Sequence, residues 1–457
     1  MKKVAFHNLG CKVNSYELDG ISQMFQKRGY EIVDFAQMAD IYIVNTCTVT
    51  NIADRKSRQM LGRARAQNPD AVVVAAGCYV QSDPEKALAN DNVDIVVGNN
   101  HKAEIVDIVE RFMSDRASEN LAVSDLKKEC IYEEIPISRT SGNTRAYIKI
   151  QDGCDQFCSY CAIPLARGRV RSRKISDIAE EAGRLAANGY KEAVITGIHI
   201  SSYGLDRAYN TFAKEGGTNT ALLDAINAVA GVDGIKRVRL SSLEPRLITE
   251  EFLEGLAGND KICPHFHLSL QSGCDSVLER MNRHYTTAEY EQKVGLIRRY
   301  FEHPAITTDI IVGFPGESED EFEMTRAFVQ KVNLYECHVF KYSRRRGTVA
   351  DSMEGQLTDA VKSARSAILI RESQARKYDF MEWYIGRTAE VLTEDTEELG
   401  GQVCTVGYTP DYVKVSMPET KSGKIREILC FERSFDTIRG SFATKDQHIS
   451  EETVCRI

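Results

Sequence analysis

The sequence predicts an α/β protein built from a doubly wound parallel α/β domain, a partial (β/α)6 barrel and a small all-β barrel, in that order. Near the N-terminus, short and wholly apolar runs such as 41–46 and 71–76 alternate with helical patterns. From Arg145 onward the alternation of strand and helix restarts and continues for six units. After residue 384, short alternating strands are separated by turns that contain glycine or proline.

In the N-terminal part, apolar strands separated by helices are typical of a sheet covered on both faces. The predicted strands are residues 2–8, 41–46, 71–76 and 92–98. Asn14 and Glu17 occupy positions typical of helix capping, so they predict the start of the first helix.

The central part contains six predicted strands, each followed by a helical pattern. They are residues 146–151, 192–197, 237–242, 265–270, 306–314 and 335–340. Right-handed crossovers between such units curl a sheet into an incomplete barrel. The predicted divisions of the chain are an N-terminal domain at 1–115, a linker at 116–140, the partial barrel at 141–345, a helical connection at 346–383, the β-barrel domain at 384–447 and a tail at 448–457.

Composition predicts a cytoplasmic protein that is not associated with a membrane. The 457 residues contain no apolar secretory segment and no run of 18 apolar residues. A chain of this length is not a small disulfide scaffold, so 13 cysteines indicate metal or redox chemistry. The net charge of −8 argues against binding of nucleic acid through overall charge.

Three cysteines, Cys154, Cys158 and Cys161, lie on one polar loop directly after the first central strand. Three thiolates on such a loop can bind three irons of a [4Fe–4S] cluster and leave the fourth iron open to a ligand. The position fits barrel enzymes, whose active sites lie at the carboxyl ends of the strands. The alternatives are a zinc loop without its fourth ligand, or unrelated core thiols.

A second set of cysteines is dispersed, since Cys11, Cys47 and Cys78 each follow one of the N-terminal strands. The carboxyl ends of parallel strands share one edge of a sheet, so we expect the three thiols to converge on a second cluster site. Taken singly, each would more often be a buried apolar thiol. The other cysteines show no ligand spacing and are interpreted as core or free thiols: Cys130, Cys263, Cys274, Cys337, Cys404, Cys430 and Cys455.

The segments NLGCKVNSYE, NTCTVTNIADRKSRQ and GCDQFCSYCAIPLARGRVRSR resemble the methylthiotransferases of the radical S-adenosylmethionine (SAM) superfamily, and within them the MtaB group. The order of an N-terminal methylthiotransferase domain, a radical SAM core and a C-terminal TRAM domain is similar to that family over residues 1–447. The resemblance implies addition of a methylthio group to carbon 2 of N6-threonylcarbamoyladenosine at position 37 of tRNA, which gives the 2-methylthio derivative.

The same resemblance implies two [4Fe–4S] clusters, with SAM as radical source and methyl donor. The loop of Cys154, Cys158 and Cys161 would hold the cluster that cleaves SAM, and the dispersed cysteines would hold the cluster that supplies sulfur. No side-chain acid or base is expected to be catalytic, and His199 is interpreted as structural. The residues implied to contact SAM are Tyr160, Thr196, Gly197, Glu244, Gln271, Ile311 and Gly313. For each of these, ordinary strand-end packing is the alternative.

Local basic segments are predicted to bind tRNA despite the acidic total. Residues 167–174 carry five basic side chains and no acidic one, and 55–65 and 341–346 are further basic segments. The predicted RNA-binding residues, which would contact phosphates of the anticodon loop, are Arg167, Arg169, Arg171 and Arg173. A solvated face or intramolecular ion pairs are the alternatives. Tyr408 and Tyr412 are candidates for base stacking.

The expected partners are tRNA, an electron donor such as flavodoxin or ferredoxin, and a sulfur donor; neither DNA nor a membrane is expected. Several alternatives remain open at this point. One is the same chemistry on N6-isopentenyladenosine in tRNA or on an aspartate of a ribosomal protein. Another is a non-catalytic iron–sulfur protein that binds RNA and senses redox state. A third is a zinc-loaded binding module.

Overall fold

The computed structural model describes residues 1–48, 50–126, 131–140, 144–206, 220–399, 401–434 and 436–443. Its architecture is mixed α/β with parallel sheets, followed by an antiparallel β region, as the sequence predicts. Cys130 and Cys455 lie outside the described residues, and the described cysteines form no disulfide with one another. None of the helices in the described ranges is both long and apolar enough to cross a membrane.

The N-terminal sheet has the strand order β2-β1-β3-β4-β5-β6, and every pair in it is parallel. Its strands are β1 (Lys3–Asn8), β2 (Glu31–Val33), β3 (Ile41–Thr46), β4 (Val72–Gly77), β5 (Ile95–Val97) and β6 (Leu121–Ala122). The helices are α1 (Lys12–Lys27), α2 (Asn51–Gln67), α3 (Cys78–Ser82), α4 (Pro84–Leu88) and α5 (Ile105–Ser114). Separate hydrophobic clusters cover the two faces, which explains why β3 and β4 are buried throughout. The strand β6 comes from the predicted linker.

The central strands occur in the predicted chain order but fall into two sheets. One sheet has the order β10-β9-β7-β8, and the other has the order β11-β12-β13. The strands are β7 (Ala146–Asp152), β8 (Arg171–Ser172), β9 (Glu192–Gly197), β10 (Arg237–Leu240), β11 (His265–His267), β12 (Ala305–Val312) and β13 (Glu336–Lys341). Isolated parallel bridges between Val238 and Ile262 and between Leu243 and Leu268 join the sheets. The sequence did not predict β8, which is two residues long and antiparallel to β7.

Helices cover the outer face of the central strands and bury a large hydrophobic core there. They are α6 (Ile163–Arg167), α7 (Ile175–Ala187), α8 (Ala221–Ala230), α9 (Glu250–Ala257), α10 (Asp275–Arg280), α11 (Thr287–Tyr300) and α12 (Glu319–Val332). Thr286 and Ser318 begin α11 and α12 with complete capping boxes, which satisfy free backbone N–H groups at both helix starts. The long helix α13 (Asp359–Met381) follows and packs against β13.

The C-terminal strands close into a barrel of the order β14-β15-β16-β18-β17. They are β14 (Thr388–Leu399), β15 (Gln402–Tyr408), β16 (Lys414–Met417), β17 (Ile425–Arg433) and β18 (Ile438–Phe442). Glu390 of this barrel pairs with Arg237 at 2.7 Å, and Glu394 pairs with Arg145 at 2.6 Å. Both arginines stand at the amino ends of central strands, so the barrel is attached to that end of the central sheets.

Tyr408 and Tyr412, the candidates for base stacking, contact each other and two arginines of the central part. Their rings stack on each other with centroids 4.6 Å apart. The guanidinium of Arg145 covers both rings, at 5.2 and 4.8 Å from the centroids, and that of Arg239 lies 4.6 Å from the Tyr412 ring. The two rings therefore take part in the contact between the barrel and the central part, and base stacking by them stays a prediction.

Candidate active site

The loop of Cys154, Cys158 and Cys161 leaves the carboxyl end of β7 through a glycine that no other residue could replace without strain. Gly153 has φ +72°, and a Cβ there would lie 1.8 Å from the Arg169 carbonyl oxygen. The Cys154 N–H donates to the Gly168 carbonyl at 3.0 Å, and the Cys161 N–H donates to the Cys158 carbonyl at 3.0 Å. These bonds fold the loop back on itself, so the three thiols are held close together.

The chemistry of these thiols fits metal ligands. Burial, together with the neighbouring Cys158, raises the pKa of Cys154 to about 11 and that of Cys161 to about 12. Thiols that disfavour each other's ionisation are relieved when a cation replaces their protons. Arg283 also donates from Nη1 to Cys158 Sγ at 3.2 Å.

The dispersed cysteines lie at adjoining strand ends, as expected from the parallel sheet. Cys11 precedes α1, Cys47 follows β3, and Cys78 is the first residue of α3. A Cβ placed on Gly10 would lie 3.3 Å from Cys47 Cβ, so the first two chain segments touch.

Electrostatic and hydrogen-bond contacts place the third of these cysteines in the same group. Burial raises the pKa of the Cys11 thiol, and Arg167 opposes this shift. Cys78 adds to the shift, which indicates that Cys78 lies near Cys11. Asn14 ties the strand ends together, since its Nδ2 donates to the Leu9 and Thr46 carbonyls at 3.1 Å each. The three thiols therefore share one edge of the sheet.

Both cysteine sets have the donor chemistry of a four-iron cluster. In the described part of the chain, no three His, Cys, Asp or Glu side chains are arranged around a single metal ion. A four-iron cluster makes a different demand, because each thiolate binds its own iron and the sulfurs stand apart. The three cysteines of each set can bind three irons and leave the fourth iron open to another ligand.

One cavity of about 260 Å³ is bordered by the loop of Cys161 and by the segment that follows Cys47, and we call it the central cavity. Its lining includes Thr48 and Thr50 from the segment after Cys47, and Cys161 from the other set. Tyr160, Gln271 and Ile311, predicted to contact SAM, also line it.

The remaining residues predicted to contact SAM lie elsewhere at the strand ends. Thr196 is buried at the end of β9, and Gly197 packs against the Gln151 carbonyl. Glu244 pairs with Arg246 at 2.7 Å, and Arg246 reaches Gln156 of the cysteine loop at 3.1 Å. The Gly313 N–H donates to Glu317 at 2.6 Å within a turn. These residues are not part of the central cavity lining.

The structure contradicts the assignment of Arg167, Arg171 and Arg173 to RNA binding. Their side chains are 0%, 1% and 2% exposed, and each forms an ion pair with a carboxylate of the protein itself. Arg173 pairs with Glu134 and Glu181 at 2.8 and 2.9 Å. Arg169 differs, since its side chain is 56% exposed, pairs with Asp155 at 3.3 Å and covers the ring of Phe157.

Sequence reasoning missed a buried ion network beneath the cysteine sets. It consists of Glu17, Lys102, Lys149, Asp152 and Arg167, joined by the ion pairs of Glu17 with Lys102, Lys149 and Arg167 and of Asp152 with Lys149 and Arg167. Burial favours the neutral acid, but Arg167 and the two lysines outweigh it and hold the pKa of Glu17 well below its usual range. Glu17 therefore does not cap the first helix, contrary to the prediction. That helix begins directly after Cys11.

Exposed basic residues from the other two predicted segments line a second, open cavity of about 750 Å³ beside the first. Arg58 and Arg346 lie on its wall with Lys86, and Thr48 and Tyr79 connect it to the dispersed cysteines. Arg345 is an exception, because it is buried and pairs with Asp54 at 2.8 Å.

Comparison with known proteins agrees with these observations. Residues 3–98 match a family described only as uncharacterized protein family UPF0004, and residues 148–329 match the radical SAM superfamily. A Bacillus subtilis protein named threonylcarbamoyladenosine tRNA methylthiotransferase MtaB is 41% identical over 445 residues, which is 97% of this chain and 96% of the relative. A Finegoldia magna protein named tRNA-2-methylthio-N(6)-dimethylallyladenosine synthase is 34% identical over 419 residues, with 90% and 88% coverage.

A solved structure supports the fold independently of close sequence similarity. The radical S-adenosylmethionine methyltransferase TsrM from Kitasatospora setae superposes with a TM-score of 0.54 over 77% of each chain, at 16% identity. With nearly complete coverage by a 41% identical relative, this chain belongs to the MtaB group of the radical SAM methylthiotransferase family.

Proposed function

We propose that this protein adds a methylthio group to N6-threonylcarbamoyladenosine in tRNA, the substrate named for its 41% identical relative. The observation that carries the proposal is the central cavity, which Thr48 beside Cys47 and Cys161 line together. Sulfur insertion at an unactivated carbon needs a radical source and a sulfur source beside one base, and a shared cavity meets that need.

In this proposal each cysteine set holds one [4Fe–4S] cluster. When bound, the clusters and SAM supply the radical, sulfur and methyl chemistry that no side chain provides. Tyr160, Gln271 and Ile311 would bind SAM because they line the central cavity beside Cys161. The other proposed SAM contacts, at the surrounding strand ends, are Thr196, Gly197, Glu244 and Gly313.

The polar inner face of the central strands favours the threonylcarbamoyl group over a hydrocarbon substituent. Asp309 lines the central cavity, and its Oδ2 lies 3.3 Å from His267 Nε2. The rings of His267 and His338 stack with centroids 5.6 Å apart. A threonylcarbamoyl group carries a carboxylate, a hydroxyl and N–H groups that such side chains can bind, whereas an isopentenyl group offers them no polar contact.

Lys12, the residue after Cys11, brings a positive charge to the same region. Enclosure by the protein lowers the pKa of its ammonium, Arg145 and Arg239 add to that shift, and Glu192 and Asp309 oppose it. The Lys12 ammonium therefore interacts electrostatically with these charged residues of the central strands, and its side chain is exposed to solvent. We assign it to the carboxylate of the substrate.

RNA contacts are proposed for the exposed basic residues around the two cavities. Arg169 extends from the cysteine loop, and Arg58, Lys86 and Arg346 line the second cavity. Phosphate contacts at this rim would position the anticodon loop so that one unstacked base enters the central cavity.

The remaining sequence predictions enter the proposal as follows. We retain as part of the proposal the division into domains at 1–115, 141–345 and 384–447, with the central part as a partial (β/α)6 barrel and the C-terminal barrel as a TRAM domain. The reaction consumes electrons and sulfur, so a reductant such as flavodoxin or ferredoxin and a sulfur donor would act with the enzyme in the cytoplasm.

Nucleoside mass spectrometry of tRNA from a deletion strain tests the proposal. The strain is complemented with the wild-type gene, with Cys47→Ala, with Cys158→Ala, or with Cys274→Ala as a buried cysteine outside both sets. We expect the 2-methylthio derivative of N6-threonylcarbamoyladenosine only with the wild type and Cys274→Ala, and the unthiolated nucleoside with the other two.

Other outcomes would identify the rival functions. If the deletion strain instead lacks the methylthio group on isopentenyladenosine, or on a ribosomal protein aspartate, that nucleoside or side chain is the substrate and the proposed one is wrong. Unchanged nucleosides in both cysteine variants, with no SAM cleavage by the anaerobically reduced protein, would favour a redox sensor. Zinc without iron in the purified protein would favour a binding module.

A further inference from the structure

Arg167 contacts the dispersed cysteines although it belongs to the segment that follows the other cysteine loop. Its Nε donates to Cys78 Sγ at 3.3 Å. Its two Nη atoms bind Asn14, Glu17 and Asp152, so every side of the guanidinium has a partner. The side chain is fully buried, which fixes the direction of the bond to sulfur.

One short helix connects the two cysteine sets through this residue. Helix α6 begins two residues after Cys161 and ends at Arg167. Five residues rise about 7.5 Å along a helix axis. The Cys161 loop is therefore connected to Cys78 by one short helix and one buried side chain.

The charge around Arg167 is not balanced by carboxylates. Lys102, Lys149, Arg167 and Arg171 share only the two carboxylates of Glu17 and Asp152 in their ion pairs. Of these cations Arg167 contacts Cys78, and because its side chain is fully buried, water cannot screen its charge there.

Hydrogen bonds and positive charge at a ligand sulfur favour the reduced, more negative state of an iron–sulfur cluster. Asn99 adds a weaker contact, with Nδ2 at 3.7 Å from Cys78 Sγ. Among the atoms near this sulfur, only the Arg167 guanidinium contributes both a donor and a formal charge within the described residues.

We propose that Arg167 is a positioning residue that holds the Cys78 thiolate and raises the reduction potential of the cluster bound by Cys11, Cys47 and Cys78. This inference rests on the cluster assignment of the proposed function. It gives Arg167 a role in setting the electron affinity of the sulfur-supplying site, in place of the RNA contact expected from sequence.

The test is an anaerobic redox titration, followed by electron paramagnetic resonance, of the full chain in which Cys154, Cys158 and Cys161 are replaced by Ala, so that one cluster remains. In this background we expect Arg167→Gln to lower the ratio of reduced to oxidised cluster about tenfold at a fixed potential, which is about 59 mV for one electron. Arg167→Lys keeps the charge but not the full set of bonds, so a smaller shift in the same direction is expected.

A matched control separates this effect from general loss of a buried cation. Arg173→Gln also removes a guanidinium that is 2% exposed and ion-paired, but its partners are Glu134 and Glu181. It should leave the potential unchanged. In the converse background, with Cys11, Cys47 and Cys78 replaced by Ala, Arg167→Gln should leave the potential of the remaining cluster unchanged.

Three results would overturn the inference. Equal potentials for the parent, Arg167→Gln and Arg167→Lys would remove the role of the arginine while leaving the clusters in place. An equal shift with Arg173→Gln would make the effect nonspecific. If the parent protein, in which the three loop cysteines are replaced, binds no iron, the cluster assignment itself is refuted. If Arg167→Gln does not fold, the comparison of Arg167→Lys with the parent decides the question.

Discussion

Glu17 provides the sharpest test of how the N-terminal and central parts are held together. Its carboxylate is 1% exposed and accepts bonds from Lys102, Lys149 and Arg167. Substitution by Ala affects the three cations differently. Lys149 and Arg167 keep Asp152 at 2.6 and 3.1 Å, whereas Lys102, at 0% exposure, has no other ion-pair partner in the described ranges.

The expected loss of stability therefore corresponds to one buried and unpaired ammonium. Removal of one partner of a buried ion pair costs about 3–5 kcal/mol. We expect Glu17→Ala to lower the free energy of unfolding by that amount. The double variant Glu17→Met with Lys102→Met should lose less than the sum of the single losses, because it leaves no unpaired charge at this site.

Urea unfolding of the apoprotein, followed by circular dichroism, measures these differences at pH 7. The pKa of Glu17 is depressed in the folded state, so its stabilisation is present above the unfolded value of about 4.3 and is lost as the pH falls through the folded value. A change below about 0.5 kcal/mol for Glu17→Ala, or strict additivity in the double variant, would refute this account of the network.

Two further predictions concern charge at other positions. Burial raises the pKa of Glu133 to about 7, so between about pH 4.3 and 7 the folded state holds the extra proton and stability falls as the pH rises. Glu133→Gln should therefore be about 1–3 kcal/mol more stable than the wild type at pH 8 and equal to it below pH 4, and urea unfolding that shows no pH-dependent difference would contradict this. Lys12→Met should raise the KM for threonylcarbamoylated tRNA about tenfold or more, as expected for loss of a charged hydrogen bond, and Lys12→Arg should recover part of it; equal KM values in steady-state assays would exclude the proposed carboxylate contact.

The strands of the chain could be predicted because their signals are local. The run AYIKIQ and the apolar segment 41–46 each fall on an observed strand, β7 and β3. The convergence of Cys11, Cys47 and Cys78 was also predictable, because parallel strands necessarily bring their carboxyl ends to one edge. The division of the central strands into two sheets could not be predicted, because the two sheets are joined by isolated bridges that have no sequence pattern.

The role of the basic segment 167–174 could not be predicted, because its partners are far away in sequence. Glu17 lies 150 residues from Arg167, and only the folded chain brings them together. One local signal did exist. Lys149 interrupts an otherwise apolar strand, and a lysine in such a position is almost never buried without a partner. That signal predicts a buried carboxylate but not which one.

The end of the central sheets at which the C-terminal barrel is attached determines how a large substrate can bind. Strand β7 runs for seven residues, roughly 23 Å, from the end that holds the barrel to the end that carries the cysteine loop. Under the proposed function, a base inside the central cavity is therefore about one strand length from the barrel. The barrel would then contact a part of the tRNA other than the anticodon loop. In that arrangement the barrel recognises the overall shape of the tRNA, and the cavity binds a single nucleotide.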